Sequence, residues 1–265
     1  AELLVGWAAG PEDTLNILQG KMIKGRTVAL ALGSGGARGY AHIGVIEELE
    51  KQGARIVTIA GSSMGAAVGG IYAAGKLAEF KKWSTALTRM ETMRLMDFTF
   101  SGQGVIKGEK VINTLRELLG DQHIEDFDVN YTAVATDFKT NTEVWMNKGS
   151  LFEVIRASSG VPTLMTPVRL GEMILMDGGV LNPLPLNVLK NTKADLRLAV
   201  NINAPGYVDD PNEGKATTKS KQEENTKKNR TEDTVASYKN RMTSTMRNWL
   251  KLEKTDTPKS SDESL

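Results

Sequence analysis

Apolar and polar positions follow two different rhythms along the first half of the chain. Residues 27–32 (TVALAL) form a short, mostly apolar run that stops at a glycine cluster, the pattern of a buried strand ending in a tight loop. Over residues 40–52 the spacing changes: Ile43, Val45, Ile46 and Leu49 recur at roughly helical intervals, and Gly53 supplies a C-terminal stop. Residues 55–60 (RIVTIA) read as a second buried strand, 61–65 as a turn, and the small-residue run 66–74 as a helix packed closely on its neighbour. This strand, helix, strand, helix order predicts an α/β fold with a mainly parallel central sheet and helices on both faces. Downstream, 111–119 and 151–157 read as helices and 131–135, 142–146, 173–176 and 196–202 as strands. That makes about six strands, enough for one doubly wound sheet.

After Pro205 the pattern changes. Residues 208–265 hold 12 Lys/Arg and 11 Asp/Glu, and 209–234 carry almost no apolar residue, so 209–234 reads as a solvated linker or a disordered stretch. Within it Val235, Tyr238, Met242, Met246 and Trp249 recur every three or four positions, and Lys239, Arg241, Arg247 and Lys251 are interspersed among them with no acid. A basic amphipathic helix near 234–252 is expected, with three uses open: packing back on the globular domain, lying on a membrane surface, or binding a partner. The expected division is an N-terminal extension over 1–26, a catalytic domain over 27–206 and a polar charged tail over 207–265. With 265 residues and 40% apolar content, one sizeable core plus an appendage is what the chain can bury.

Composition excludes several chemistries. The chain has no cysteine, so it offers no disulfide framework, thiol nucleophile or thiolate metal site, and two histidines cannot build a three-His metal site. A net charge of +1 gives no global electrostatic case for nucleic acid. No apolar run is long enough to span a bilayer as a helix, and the first 25 residues lack the basic and apolar blocks of a secretory signal. The expected location is cytoplasmic, with peripheral membrane contact if 234–252 serves that use.

Three motifs carry the chemistry. Gly61-Ser62-Ser63-Met64-Gly65 matches G-x-S-x-G between a predicted strand and a predicted helix, the setting in which a strained elbow exposes the central serine hydroxyl. Gly33-Ser34-Gly35-Gly36-Ala37-Arg38-Gly39 lies between the first strand and helix, where convergent backbone amides suit an anion. Arg38 stands where a dinucleotide fingerprint needs glycine, and a P-loop lysine is absent; an oxyanion hole needs only aimed donors. The elbow-serine order of serine, acid, then histidine fails, because no histidine follows position 123. His42 reads as a structural residue of the first helix and His123 as a solvent-facing loop residue. Asp177, at a strand end and followed by Gly178-Gly179, is the best-placed alternative base, although Asp-Gly-Gly is also a common turn. Trp83, Leu87, Met90, Met93, Leu95, Met96, Phe98 and Phe100 crowd one segment, which reads either as ordinary core or as a cap over an acyl chain.

Together these elements resemble the patatin-like phospholipase family. Residues 29–75 (ALALGSGGARGYAHIGVIEELEKQG…IAGSSMGAAVGGIYAAG) are similar to its first two blocks, 156–167 (RASSGVPTLMTP) to its third and 177–185 (DGGVLNPLP) to its fourth. The chain looks most like the short single-domain bacterial members, with Ser34 in place of a usual glycine and Gly160 where alanine is common. The resemblance implies Ser63 as nucleophile and Asp177 as general base. It also implies an oxyanion hole from the amides of Gly35, Gly36 and Ala37 with positive potential from Arg38, and neither metal nor organic cofactor. The implied activity is hydrolysis of lipid acyl esters, phospholipase A-like or carboxylesterase. The alternatives are a lipid-binding regulatory protein with little turnover, and a small-ester hydrolase or acyltransferase without a membrane role.

Overall fold

The computed structural model describes residues 2–5, 23–95, 108–162 and 165–203. All fall in the first of two units, residues 1–207 and 208–265. The expected helix at 234–252, and Met96, Phe98 and Phe100, lie outside the described residues.

In chain order the strands are β1 (Glu2–Val5), β2 (Thr27–Leu32), β3 (Arg55–Ser62), β4 (Asn130–Asp137), β5 (Thr142–Met146), β6 (Val168–Leu170), β7 (Met173–Asp177) and β8 (Leu196–Val200). The α-helices are α1 (Ala41–Lys51), α2 (Met64–Ala73), α3 (Leu77–Ala86), α4 (Arg89–Leu95), α5 (Glu109–Leu119) and α6 (Leu151–Ser158). The strands form one eight-stranded sheet in the order β1-β8-β2-β3-β4-β7-β6, with β5 also paired to β4. Strands β1, β8, β2, β3 and β4 run parallel, and β5, β6 and β7 join by antiparallel pairs. Two strands were not expected from the sequence. Residues 2–5, within the stretch read as an extension, pair with β8, and the three-residue β6 pairs with β7.

Alternation along the central strands sorts large from small side chains. Leu30, Leu32, Leu198 and Val200 join the main core, to which α1, α2, α5 and α6 contribute Ile43, Ile46, Val68, Ile71, Ile112, Leu115, Phe152 and Ile155. On the opposite face Ala29, Ala31, Ala60 and Ala199 leave room for the 3-10 helix Leu186–Leu189 and its flanks to lie close. Helix α1 buries His42, Ile43, Ile46 and Leu49, the stripe its spacing predicts. Helix α2 is buried at every position from Gly65 to Ile71, so its small residues bring its axis close to the sheet. Ser150 caps α6 by accepting the Glu153 N–H, in a Ser-x-x-Glu start. Among the described residues no helix is long and apolar enough to cross a membrane.

The register around β4 positions the site. Strand β5 occupies one edge of β4 over Ala133–Asp137, so β3 and β7 must share the other edge. Strand β3 occupies that edge until Ser62 stands opposite Val134, and β7 takes it over where Asp177 stands opposite Ala135. Because β3 is parallel to β4 and β7 antiparallel, the C-terminal ends of β3 and β7 meet head-on in the middle of the sheet.

Candidate active site

Ser63 immediately follows β3 and adopts φ 55° and ψ −121°. A non-glycine residue in such a region costs roughly 1–3 kcal/mol and persists only where its surroundings hold it. Three hydrogen bonds do so. The Ser63 N–H donates to Ser158 Oγ at 2.9 Å, its carbonyl accepts from the Ala67 N–H at 3.0 Å, and its Oγ donates to Asp177 Oδ2 at 2.6 Å. The turn expected at 61–65 is therefore shorter than the sequence suggested: β3 runs through Ser62 and α2 begins at Met64.

Asp177 ends β7, and its side chain caps the following 3-10 turn. Oδ1 accepts the Gly179 N–H at 2.7 Å, which turns Oδ2 toward Ser63. Ser63 and Asp177 are each only 6% exposed. Burial pushes the Asp177 carboxyl above the ordinary aspartate range, against the lowering effect of its hydrogen bonds from Ser63 and Gly179. The result is a carboxylate more basic than one in water, in direct contact with a serine hydroxyl.

The glycine loop is fixed beside this pair by both flanking segments. The Gly33 N–H donates to the Val200 carbonyl at 3.1 Å, the Ser34 N–H to the Pro183 carbonyl at 2.8 Å, and Asn203 Nδ2 to the Ser34 carbonyl at 2.5 Å. Ser34 also packs over Gly179, where a Cβ would come within 2.8 Å of the Ser34 Cβ. Both backbone polar groups of Ser34 are thus used in anchoring the loop. Gly36, at φ 55°, then opens the 3-10 helix Gly36–Tyr40 that leads into α1. Among the described residues no acceptor is bonded to the amides of Gly35, Gly36 or Ala37. The Arg38 side chain is exposed.

Neither histidine joins Ser63 and Asp177. His42 is fully buried and its Nε2 donates to the Gly33 carbonyl at 2.8 Å, so it supports the loop from beneath. His123 is exposed and faces Glu125 at 3.6 Å. Of the apolar segment read as core or cap, Trp83 packs half-buried against Phe80, while Met90 is 62% exposed. Two concavities of about 500 and 550 Å³ are lined by neither Ser63 nor Asp177. Among the described residues no group of three or more His, Cys, Asp or Glu is arranged to hold a metal ion.

Two features escaped the sequence reading. Ser158, unassigned within the third block, is bonded to the Ser63 backbone. Glu143 Oε2 accepts from Trp145, Asn182 and Asn187, tying the segment after Asp177 to β5. No local signal marks either role, since each depends on strand register.

The family model described as patatin-like phospholipase matches residues 30–190, from within β2 past the turn after Asp177. An uncharacterized NTE family protein of Mycobacterium tuberculosis is 48% identical over 176 residues, covering 66% of this chain and 49% of that protein. A lysophospholipase NTE1 of Debaryomyces hansenii is 33% identical over 198 residues, covering 72% of this chain and 12% of that protein. The crystal structure of VipD from Legionella pneumophila aligns with a TM-score of 0.39 at 17% identity, over 61% of this chain and 46% of that one. The chain thus spans about half the length of its mycobacterial relatives. With the matched region enclosing both the elbow serine and the strand-end aspartate, the chain belongs to the patatin-like phospholipase family.

Proposed function

We propose that this protein is a lipid acyl-ester hydrolase that works through a Ser63–Asp177 dyad, with residues 27–206 as its catalytic unit. The observation that carries the reading is the 2.6 Å hydrogen bond from Ser63 Oγ to a buried Asp177 carboxylate. Asp177 accepts the Ser63 proton as Oγ attacks the acyl carbon, and the carbonyl oxygen becomes a tetrahedral oxyanion. Amides of Gly35, Gly36 and Ala37 donate to that oxygen, with Arg38 adding positive potential. When the intermediate collapses, the protonated Asp177 gives its proton to the departing alcohol and Ser63 carries the acyl group. Water then attacks the acyl-enzyme, Asp177 takes its proton, and the fatty acid leaves as Ser63 is reprotonated. The substrate is an ester because its alkoxide-like leaving group needs only the proton that Asp177 holds.

The Debaryomyces relative is named a lysophospholipase, which makes single-chain phospholipids the first substrates to test. Contact with the lipid surface through the basic segment 234–252 belongs to the same proposal. A fluorophosphonate probe is expected to label the wild type and to fail on Ser63→Ala. Hydrolysis of a lysophospholipid, a diacyl phospholipid and short p-nitrophenyl esters then ranks the substrate classes. Labelling that persists in Ser63→Ala and vanishes in Ser62→Ala would overturn the assignment of the nucleophile.

A further inference from the structure

The head-on meeting of β3 and β7 breaks the hydrogen-bond ladder at the point where Ser63 and Asp177 touch. Beyond Ser62 the chain leaves the sheet, so a continuing strand no longer serves the edge of β4 there. Ser158, the last residue of α6, enters this gap. It is fully buried, its Oγ accepts the Ser63 N–H at 2.9 Å, and the same Oγ donates to the Val134 carbonyl at 2.6 Å. One hydroxyl therefore replaces the two backbone partners that an uninterrupted strand would have provided. Two residues on, the Gly160 carbonyl accepts the Asp177 N–H at 2.9 Å. The short segment 158–160 thus holds the backbone of both strand ends from one side.

From this geometry we propose that Ser158 is a positioning residue for the dyad: its hydroxyl fixes the strained Ser63 backbone so that Oγ stays aligned with Asp177. Ser158 does not touch the Asp177 carboxylate and takes no part in proton transfer, so it acts only through Ser63. The inference rests on the Ser63–Asp177 reading. Ser63 has an unfavourable backbone conformation, and of the three hydrogen bonds that hold it the Ser158 bond is the one made to its N–H. Without that anchor the elbow relaxes, and a displacement of about 1 Å in a reacting group lowers a rate on the order of 100-fold.

The test compares Ser158→Ala with Ser158→Cys in the full chain. Alanine removes the hydroxyl; cysteine keeps nearly the same shape with a weak donor and weak acceptor, so it separates hydrogen bonding from packing and serves where alanine fails to fold. Both variants are expected to lose about 10- to 100-fold in kcat and in the rate of fluorophosphonate inactivation, with KM within about twofold of wild type. Wild-type kcat and inactivation rate in Ser158→Cys would overturn the proposal, as would a rise in KM at unchanged kcat. A wild-type protein that neither turns over an ester nor labels at Ser63 would instead overturn the dyad itself, so the two failures are distinguishable.

Discussion

Gly65 sets the distance between the glycine loop and the elbow serine, and replacing it tests whether that distance matters. It lies in the first turn of α2, buried against the end of β2. A Cβ built there would overlap the Leu32 carbonyl oxygen and lie 2.5 Å from its carbon and 2.8 Å from the Gly33 carbonyl oxygen. All three are backbone atoms, so no rotamer change relieves the contact, and α2 must move off β2 by roughly 1 Å to restore ordinary packing. Overpacking of this kind costs about 1–3 kcal/mol, while alanine in a helix returns about 0.5–1 kcal/mol relative to glycine. The net cost is thus up to about 2.5 kcal/mol, and since for a domain of this size about 1 kcal/mol corresponds to about 2–4 °C, Gly65→Ala is expected to lower Tm by up to about 10 °C. The same shift separates the loop amides from Ser63 and is expected to slow fluorophosphonate labelling by on the order of 10- to 100-fold. Gly44→Ala is the control: Gly44 is an exposed interior position of α1 with open space around its would-be Cβ, and the change is expected to raise Tm by a few degrees at unchanged labelling. Thermal denaturation and labelling rates on the three proteins decide it. A Gly65→Ala protein that matches wild type in both would refute the idea that this contact fixes the loop.

Three further outcomes are expected. Asp177→Asn abolishes labelling yet raises Tm near neutral pH: the folded-state pKa is raised, so the stability linked to this group is present in acid below the ordinary aspartate value and lost as pH rises through the folded one. The Tm gain should therefore disappear in acid, and a gain equal at all pH values would show that burial of the charge is not its cause. His42, whose pKa burial lowers against the raising effect of its Gly33 hydrogen bond, favours its neutral form when folded; its linked stability is complete above about pH 6.5 and falls as pH drops through that value, a slope that His42→Asn should remove in urea titrations. Deleting residues 234–252 should abolish co-flotation with anionic liposomes while leaving hydrolysis of a short soluble ester intact; equal flotation of both proteins would exclude this segment as the lipid contact.

The sequence was most informative where a pattern is local. The run at 27–32, the apolar stripe of α1 and the strand at 142–146 appear in the structure within a residue or two, because burial on one face or both writes itself into neighbouring positions. Strand β6 left no such trace, since its three residues Val168, Arg169 and Leu170 are half-buried or exposed and pair only as the return of a hairpin. The β3–α2 elbow was legible because the glycines needed for close packing occur beside the serine they position. The role of Ser158 was not legible, because 95 positions separate it from Ser63 and only the register of three strands around β4 brings them together. The switch from parallel to antiparallel pairing at β4 was equally hidden: the tight connection from β4 to β5, with Asn141 at φ 55°, accounts for the β5 pair, whereas the β7 pair forms on the other edge.

That switch bears directly on how the proposed Ser63–Asp177 dyad would work without the histidine that often stands between an elbow serine and its acid. In a wholly parallel sheet, a carboxylate at the end of the strand after β4 would stand two strand spacings from Ser63, about 9–10 Å, and a bridging side chain would have to span the gap. Here β7 enters antiparallel on the edge that β3 vacates, so the acid lies in line with the serine instead of beside it, and direct contact at 2.6 Å follows. The same arrangement buries the carboxylate between two strand ends, which raises its basicity without any further group. Under the proposed dyad, the lack of a usable histidine in the sequence and the mixed pairing of the sheet fit together: two strand ends that face each other let an acid touch the serine directly.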